Sequence, residues 1–234
     1  MIDWVPESER GAIRHPSITY GRTALGSPLH LYLPESGSAE LLVFAGIHGH
    51  EPDSTVVLSA ALRCLSISAL RAAVVLCANP DGMAAGTRGN ANGIELNRNF
   101  PTSDWSPLEP THRWLDESPS RVKLSAGERA GSEPETQALV ALVERLDPKA
   151  ILSIHSPLAC IDDPEGSELG GWLAERTGLP RVADVGYPTP GSFGTWCREH
   201  GRTVVTYELE AAGLSALRER HLPGLVELLA GLGP

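Results

Sequence analysis

No apolar stretch in the 234 residues approaches the ~18 needed to cross a bilayer. The opening segment, Met1-Ile2-Asp3-Trp4-Val5-Pro6-Glu7, has neither a basic start nor an apolar run of leader length. Positive charge is scarce as well. Nineteen Lys and Arg face 29 Asp and Glu, for a formal net charge of -10. Such a field repels phosphates, which argues against nucleic acid or an anionic membrane as partner. The expectation is a cytoplasmic protein whose anionic ligands, if any, need a local cationic pocket. The four cysteines, Cys64, Cys77, Cys160 and Cys197, never approach the C-x-x-C spacing of a zinc knuckle or redox site. They read as reduced and mostly buried, as small core residues. Neither an internal repeat nor a clear linker breaks the chain, so one domain over residues 1–234 is expected.

What is present is an ordinary globular composition, 41% hydrophobic and 21% charged, enough for a large core. Apolar runs of strand length occur at residues 41–45, 73–77, 150–154 and 203–207, each rich in Val, Ile or Leu as fully buried parallel strands are. Helix-like segments lie between them. Residues 54–65 open with Ser54 as a candidate cap, residues 133–146 repeat apolar side chains at helical spacing, and 166–176 do so more weakly. Residues 214–232 read as a C-terminal helix interrupted near Pro223. This alternation predicts an α/β fold, a mixed and largely parallel sheet covered by helices on both faces, with its site at the carboxyl ends of the strands. Residues 101–133, rich in Pro, Ser and charge, read as a long surface excursion near that site.

At the end of the first buried run stands Gly46-Ile47-His48-Gly49-His50-Glu51, an imidazole and a carboxylate three residues apart. Hydrolytic zinc takes three protein ligands from His, Asp or Glu and keeps a further position for water. His155, closing the run Ser153-Ile154-His155, is the natural third ligand, because two strand ends of a parallel sheet can converge. Further along come Asn79-Pro80-Asp81-Gly82, Thr87-Arg88-Gly89-Asn90 and Glu95-Leu96-Asn97-Arg98-Asn99-Phe100. Asn-Pro-Asp-Gly alone is a turn signal.

In their joint order these segments resemble the zinc carboxypeptidase family, in which H-x-x-E, N-P-D-G, a following Arg and N-R-N-F succeed one another. The resemblance spans residues 43–210. It implies one Zn2+ ion held by His48, Glu51 and His155, and an Arg88 that polarises the scissile carbonyl. It implies that Asn97 and Arg98 grip the substrate's terminal carboxylate, a bidentate task suited to guanidinium. Glu95 falls where the family has an aspartate that steadies a ligand histidine. The family's general base is a strand-end glutamate followed by Leu, which matches Glu208 in Tyr207-Glu208-Leu209-Glu210, with Glu210 as the rival of equal strand parity. The loop at residues 186–196 matches the segment whose tyrosine closes over substrate, here Tyr187. His50 is read as pointing away from the metal.

Within the family, residues 155–164 and 185–197 look like the bacterial murein peptide amidases. This implies a murein tripeptide as partner, cleaved between γ-D-glutamate and meso-diaminopimelate during cell-wall recycling. Two other readings stand beside it. One is an acylase of the aspartoacylase and succinylglutamate desuccinylase type, which shares H-x-x-E and N-R-x-F; the other is a domain of this fold that binds peptides or muropeptides without turnover.

Overall fold

The computed structural model describes residues 2, 4–107, 111–113 and 121–234. The chain opens with β1 (Ser17–Arg22) and β2 (Pro28–Tyr32), followed by β3 (Leu41–Ala45), α1 (Pro52–Cys64), β4 (Ala73–Val75) and α2 (Pro80–Ala85). A small hairpin of β5 (Thr111–Arg113) and β6 (Arg121–Lys123) precedes α3 (Pro134–Leu146), β7 (Ala150–His155) and β8 (Leu158–Asp162). The chain ends with α4 (Glu168–Thr177), β9 (Arg181–Val182), α5 (Phe193–Glu199), β10 (Thr203–Glu210) and α6 (Leu214–Leu229). Part of the expected excursion, residues 108–110 and 114–120, lies outside the described residues.

The main sheet runs β1-β2-β4-β3-β7-β10-β8-β9. Its centre, β4-β3-β7-β10, is parallel, as is the β8–β9 pair, while β1, β2 and the β10–β8 contact are antiparallel. The expected mixed, largely parallel sheet is therefore present. The strands missed in the sequence are those that leave the buried centre. β1 is mostly exposed, so it lacks the continuous apolar run by which the central strands announce themselves.

Alternation along β3 divides the core in two. Val43 and Ala45 face α1, α4 and α6 in one cluster with Leu58, Leu62, Leu173, Leu217 and Leu225. Leu42 and Phe44 face α3 and α5 in the other, with Leu139, Val143, Phe193 and Trp196. Both faces of the sheet are thus covered, which is why β3 and β4 carry apolar side chains at every position.

Two local expectations change. Ser54 is not the cap of α1: the helix starts at Pro52 behind Glu51, and the Ser54 hydroxyl donates to the Glu51 carbonyl at 2.8 Å. Pro suits the first helical position because its missing N–H has no helical partner there. Nor does Pro223 interrupt α6, which continues through it to Leu229. Packing of Leu217, Leu225, Val226 and Leu229 into the core outweighs the lost backbone bond. Among the described residues no helix is long and apolar enough to cross a membrane.

The loop after β3 is fixed by close packing on α2. A Cβ on Gly49 would lie 2.1 Å from the Gly82 carbonyl carbon, so no side chain fits between these backbones. Asn79 secures the contact from below. Its Oδ1 accepts from the Gly82 amide at 3.0 Å, capping α2, while its Nδ2 donates to Ile47 O at 3.3 Å and Gly89 O at 3.1 Å. The Asn-Pro-Asp-Gly segment is thus a cap and a clamp on the loop bearing His48. Gly49→Ala is expected to lower unfolding stability by about 1–3 kcal/mol through overpacking, read as a lower guanidinium midpoint. An unchanged midpoint would contradict the packing described.

Candidate active site and metal centre

His48 and Glu51 leave the carboxyl end of β3, and His155 is the last residue of the neighbouring β7. Successive strands depart to opposite sides here, with β4 beside β3 on one edge and β7 on the other, the place where open α/β sheets form a crevice. All three side chains are buried, and one ligand atom from each lies within 4.8 Å of the others. His48 Nδ1 is 2.8 Å from Glu51 Oε1, and His155 Nδ1 is 3.2 Å from His48 Nδ1 and 3.3 Å from Glu51 Oε2. Donors about 2.1 Å from a tetrahedral zinc stand about 3.4 Å from one another. The donor set, two imidazoles and a carboxylate, is also what hydrolytic zinc takes, so the residues fit the ion.

Buried polar groups around the triad fix its orientation. Ser153 Oγ lies 2.9 Å from His155 Nε2, leaving Nδ1 to face the centre. The Ser156 amide donates to Glu51 Oε2 at 3.3 Å. Burial and the nearby Arg88 charge press His48 down to about 3, so this imidazole is neutral and its lone pair available. Burial alone would raise Glu51, but the His48 and His155 imidazoles hold it well below the usual carboxylate range.

Arg88, Asn97, Arg98, Tyr187 and Glu208 line the same cleft, which encloses about 740 Å³. Arg88 Nε and Nη2 donate to Glu95 Oε1 at 2.9 and 2.8 Å, and its Nη1 donates to Glu51 Oε1 at 3.2 Å. Glu95 Oε1 is 3.6 Å from His48 Nε2, beyond hydrogen-bond reach, and 3.7 Å from Arg98 Nη1. The longer side chain therefore bonds Arg88, with the Arg98 charge nearby, rather than the histidine. Burial would raise Glu95, yet Arg88 and Arg98 draw it down to about 2. The Asn97 Oδ1 accepts from the Phe193 amide at 2.9 Å, tying the 97–98 segment to α5.

Glu208 sits on β10 directly opposite His155 on β7 and is 7% exposed, its Oε2 facing the Leu158 amide at 3.4 Å. Burial, above all, raises it to about 7. The rival Glu210 turns elsewhere, bonded to His221 at 2.7 Å and Arg220 at 3.0 Å. Tyr187, 50% exposed, stands on the rim. His50 lies on the cleft wall but outside the triad. Ser153 was missed in the sequence, although strand parity puts it on the face of His155.

The family model "Zinc carboxypeptidase" matches residues 12–161, which include the triad, Arg88, Asn97 and Arg98. The chain belongs to the zinc carboxypeptidase family. It is thus a hydrolytic enzyme, and its metal is zinc. It is 47% identical to murein peptide amidase A of Escherichia coli (strain K12) over 226 residues, covering 96% of this chain and 93% of that protein. Against murein peptide amidase A of Vibrio campbellii it is 43% identical over 232 residues, covering 97% and 93%. The crystal structure of a murein-tripeptide amidase from Escherichia coli O157 superposes with a TM-score of 0.93 at 46% identity, covering 98% of each chain. Bovine thrombin-activatable fibrinolysis inhibitor, at 18% identity and a TM-score of 0.69, shares the fold.

Loss of one imidazole leaves two ligands for the ion. Elemental analysis is expected to find stoichiometric zinc in the parent chain and only traces in His155→Ala. Retained stoichiometric zinc in that variant would place the ion elsewhere.

Proposed function

We propose that this enzyme is a murein peptide amidase, hydrolysing the amide between γ-D-glutamate and meso-diaminopimelate in peptides released from the cell wall. The reading covers residues 1–234 as one catalytic domain acting in the cytoplasm in cell-wall recycling. The single observation that carries it is near-full-length identity of 43–47% to murein peptide amidases, and the cleft supplies compatible chemistry.

In this reading His48, Glu51 and His155 hold the zinc. When bound, the ion supplies Lewis acidity that acidifies the attacking water and polarises the scissile carbonyl. Glu208 takes the proton of that water on its carboxylate and returns it to the departing amine nitrogen. Arg88 donates to the oxygen that gains charge during attack, its guanidinium held in place by Glu95. Asn97 and Arg98 bind the carboxylate adjoining the departing amine. The backbone bond to the Asn97 Oδ1 leaves its NH2 as the end that donates. Tyr187, on the rim, closes over the bound peptide. Together these contacts align the amide with the water, which replaces a bimolecular encounter by a held geometry.

Glu208→Gln is expected to keep zinc and fold but lose about 10²-fold or more in kcat, assayed by mass spectrometry on L-Ala-γ-D-Glu-meso-diaminopimelate. Near-parental turnover would remove Glu208 from this role. Because the base works ionised, kcat/KM should rise with pH through the Glu208 pKa and fall below it. Burial sets that value at about 7, and a neighbouring dication draws it downward. The acid limb is therefore expected between the ordinary carboxylate value and about 7. A panel with N-acyl amino acids and α-linked peptides tests the substrate: preferential cleavage of either would overturn the murein reading.

A further inference from the structure

Beyond the triad the cleft continues along the wall made by β8, β10 and α5, where Asp162, Ser192, Gly194, Arg198, Val204 and Thr206 line it. Asp162 pairs with Thr206 across the β8–β10 ladder, and Thr206 precedes Glu208 by two residues on the same strand face. Two strand residues span about 6.6 Å. Asp162 thus stands one medium-length side chain away from the scissile position, deeper along the wall.

The Asp162 Oδ1 is buried and accepts no hydrogen bond. Such an oxygen is costly unless a donor arrives from outside. Arg198 stands on α5 four residues after Gly194, so both share one face of that helix. Its Nη2 donates to the Thr195 hydroxyl at 3.1 Å, and among the described residues no carboxylate lies within 4.0 Å of it. Arg198 is the foremost charge acting on Asp162 after the effect of burial, yet the two are not bonded. An acid and a base that face one cleft unpaired offer opposite charges to a ligand that carries both.

Gly194 supports this. Its backbone does not need glycine, and a Cβ there would meet nothing closer than Arg198 Nη1 at 3.8 Å and Ser192 Oγ at 3.9 Å. What glycine provides is open space beside the guanidinium.

We propose that Asp162 and Arg198 form the subsite that selects a zwitterionic side chain on the departing residue, Asp162 accepting from its ammonium and Arg198 donating to its carboxylate. This rests on the murein reading above, since meso-diaminopimelate ends in such an amino-carboxylate. Gly194 leaves room for the carboxylate, and the pair keeps the subsite neutral overall, so a side chain that lacks the ammonium leaves the buried Asp162 Oδ1 unsatisfied and one that lacks the carboxylate forgoes the Arg198 contact.

Three peptides separate the two contacts: L-Ala-γ-D-Glu linked to meso-diaminopimelate, to L-lysine, which lacks the far carboxylate, and to L-2-aminopimelate, which lacks the far amine. The zinc-loaded parent should favour the first over each of the others by about 10- to 100-fold in kcat/KM. Asp162→Asn is expected to abolish the preference over aminopimelate while keeping that over lysine. Arg198→Gln is expected to do the reverse. Because Arg198 is exposed, its variant reports on the subsite even if Asp162→Asn does not fold. A uniform fall on all three peptides, or discrimination unchanged in Arg198→Gln, would overturn the assignment. Failure of the parent to cleave any of the three would overturn the murein reading itself, and the subsite with it.

Discussion

The site depends on the ladder between β3 and β7. Glu51 and the two imidazoles come from segments far apart in the chain, and their donor atoms meet within 4.8 Å because these strands lie side by side in parallel, from Leu41 opposite Ala150 to Ala45 opposite Ile154. A slip of one residue would turn His155 to the opposite face of the sheet. That register is secured by the two apolar clusters, since the same slip would exchange Ile154 with His155 and break both layers. Packing and metal geometry therefore impose one condition on the chain, and satisfying the first satisfies the second.

Around the triad the polar groups form a graded shell. Glu95 bonds Arg88 and lies near the Arg98 charge, so it steadies cationic groups in an acidic protein whose net charge would otherwise disfavour an anionic peptide. Glu208 contrasts with it. Both carboxylates are buried, but Glu95 touches guanidinium and lies near 2, whereas Glu208 faces a backbone amide at long range and lies near 7. The difference in neighbours keeps one ionised beside its guanidinium and leaves the other raised by burial.

Much of this was legible in the chain. The four central strands appear as apolar runs because both faces of each are buried, and the triad follows from residue type at two strand ends. What stayed hidden depends on tertiary context. Mostly exposed β1 and β2, which buries only Leu29 and Leu31, lack a continuous apolar signal, and nothing local in Ser54 reveals that Pro52 already starts α1. Asn79 reads as a turn former, yet its role is set by Ile47 and Gly89, which only the fold brings to it. Asp162 and Arg198 could not be singled out from spacing, because the oxygen left bare on one and the gap beside the other exist only once β8, β10 and α5 surround a common space.

The order of the ligand-bearing strands also sets an order of assembly. A growing chain that has passed β3 and α1 presents one imidazole and one carboxylate, too few to retain an ion firmly. Only when β7 emerges is the candidate ligand set complete, and Glu208 on β10 arrives later still. In chain order the three candidate zinc ligands are thus complete before Glu208, the base of the proposed mechanism, has been made.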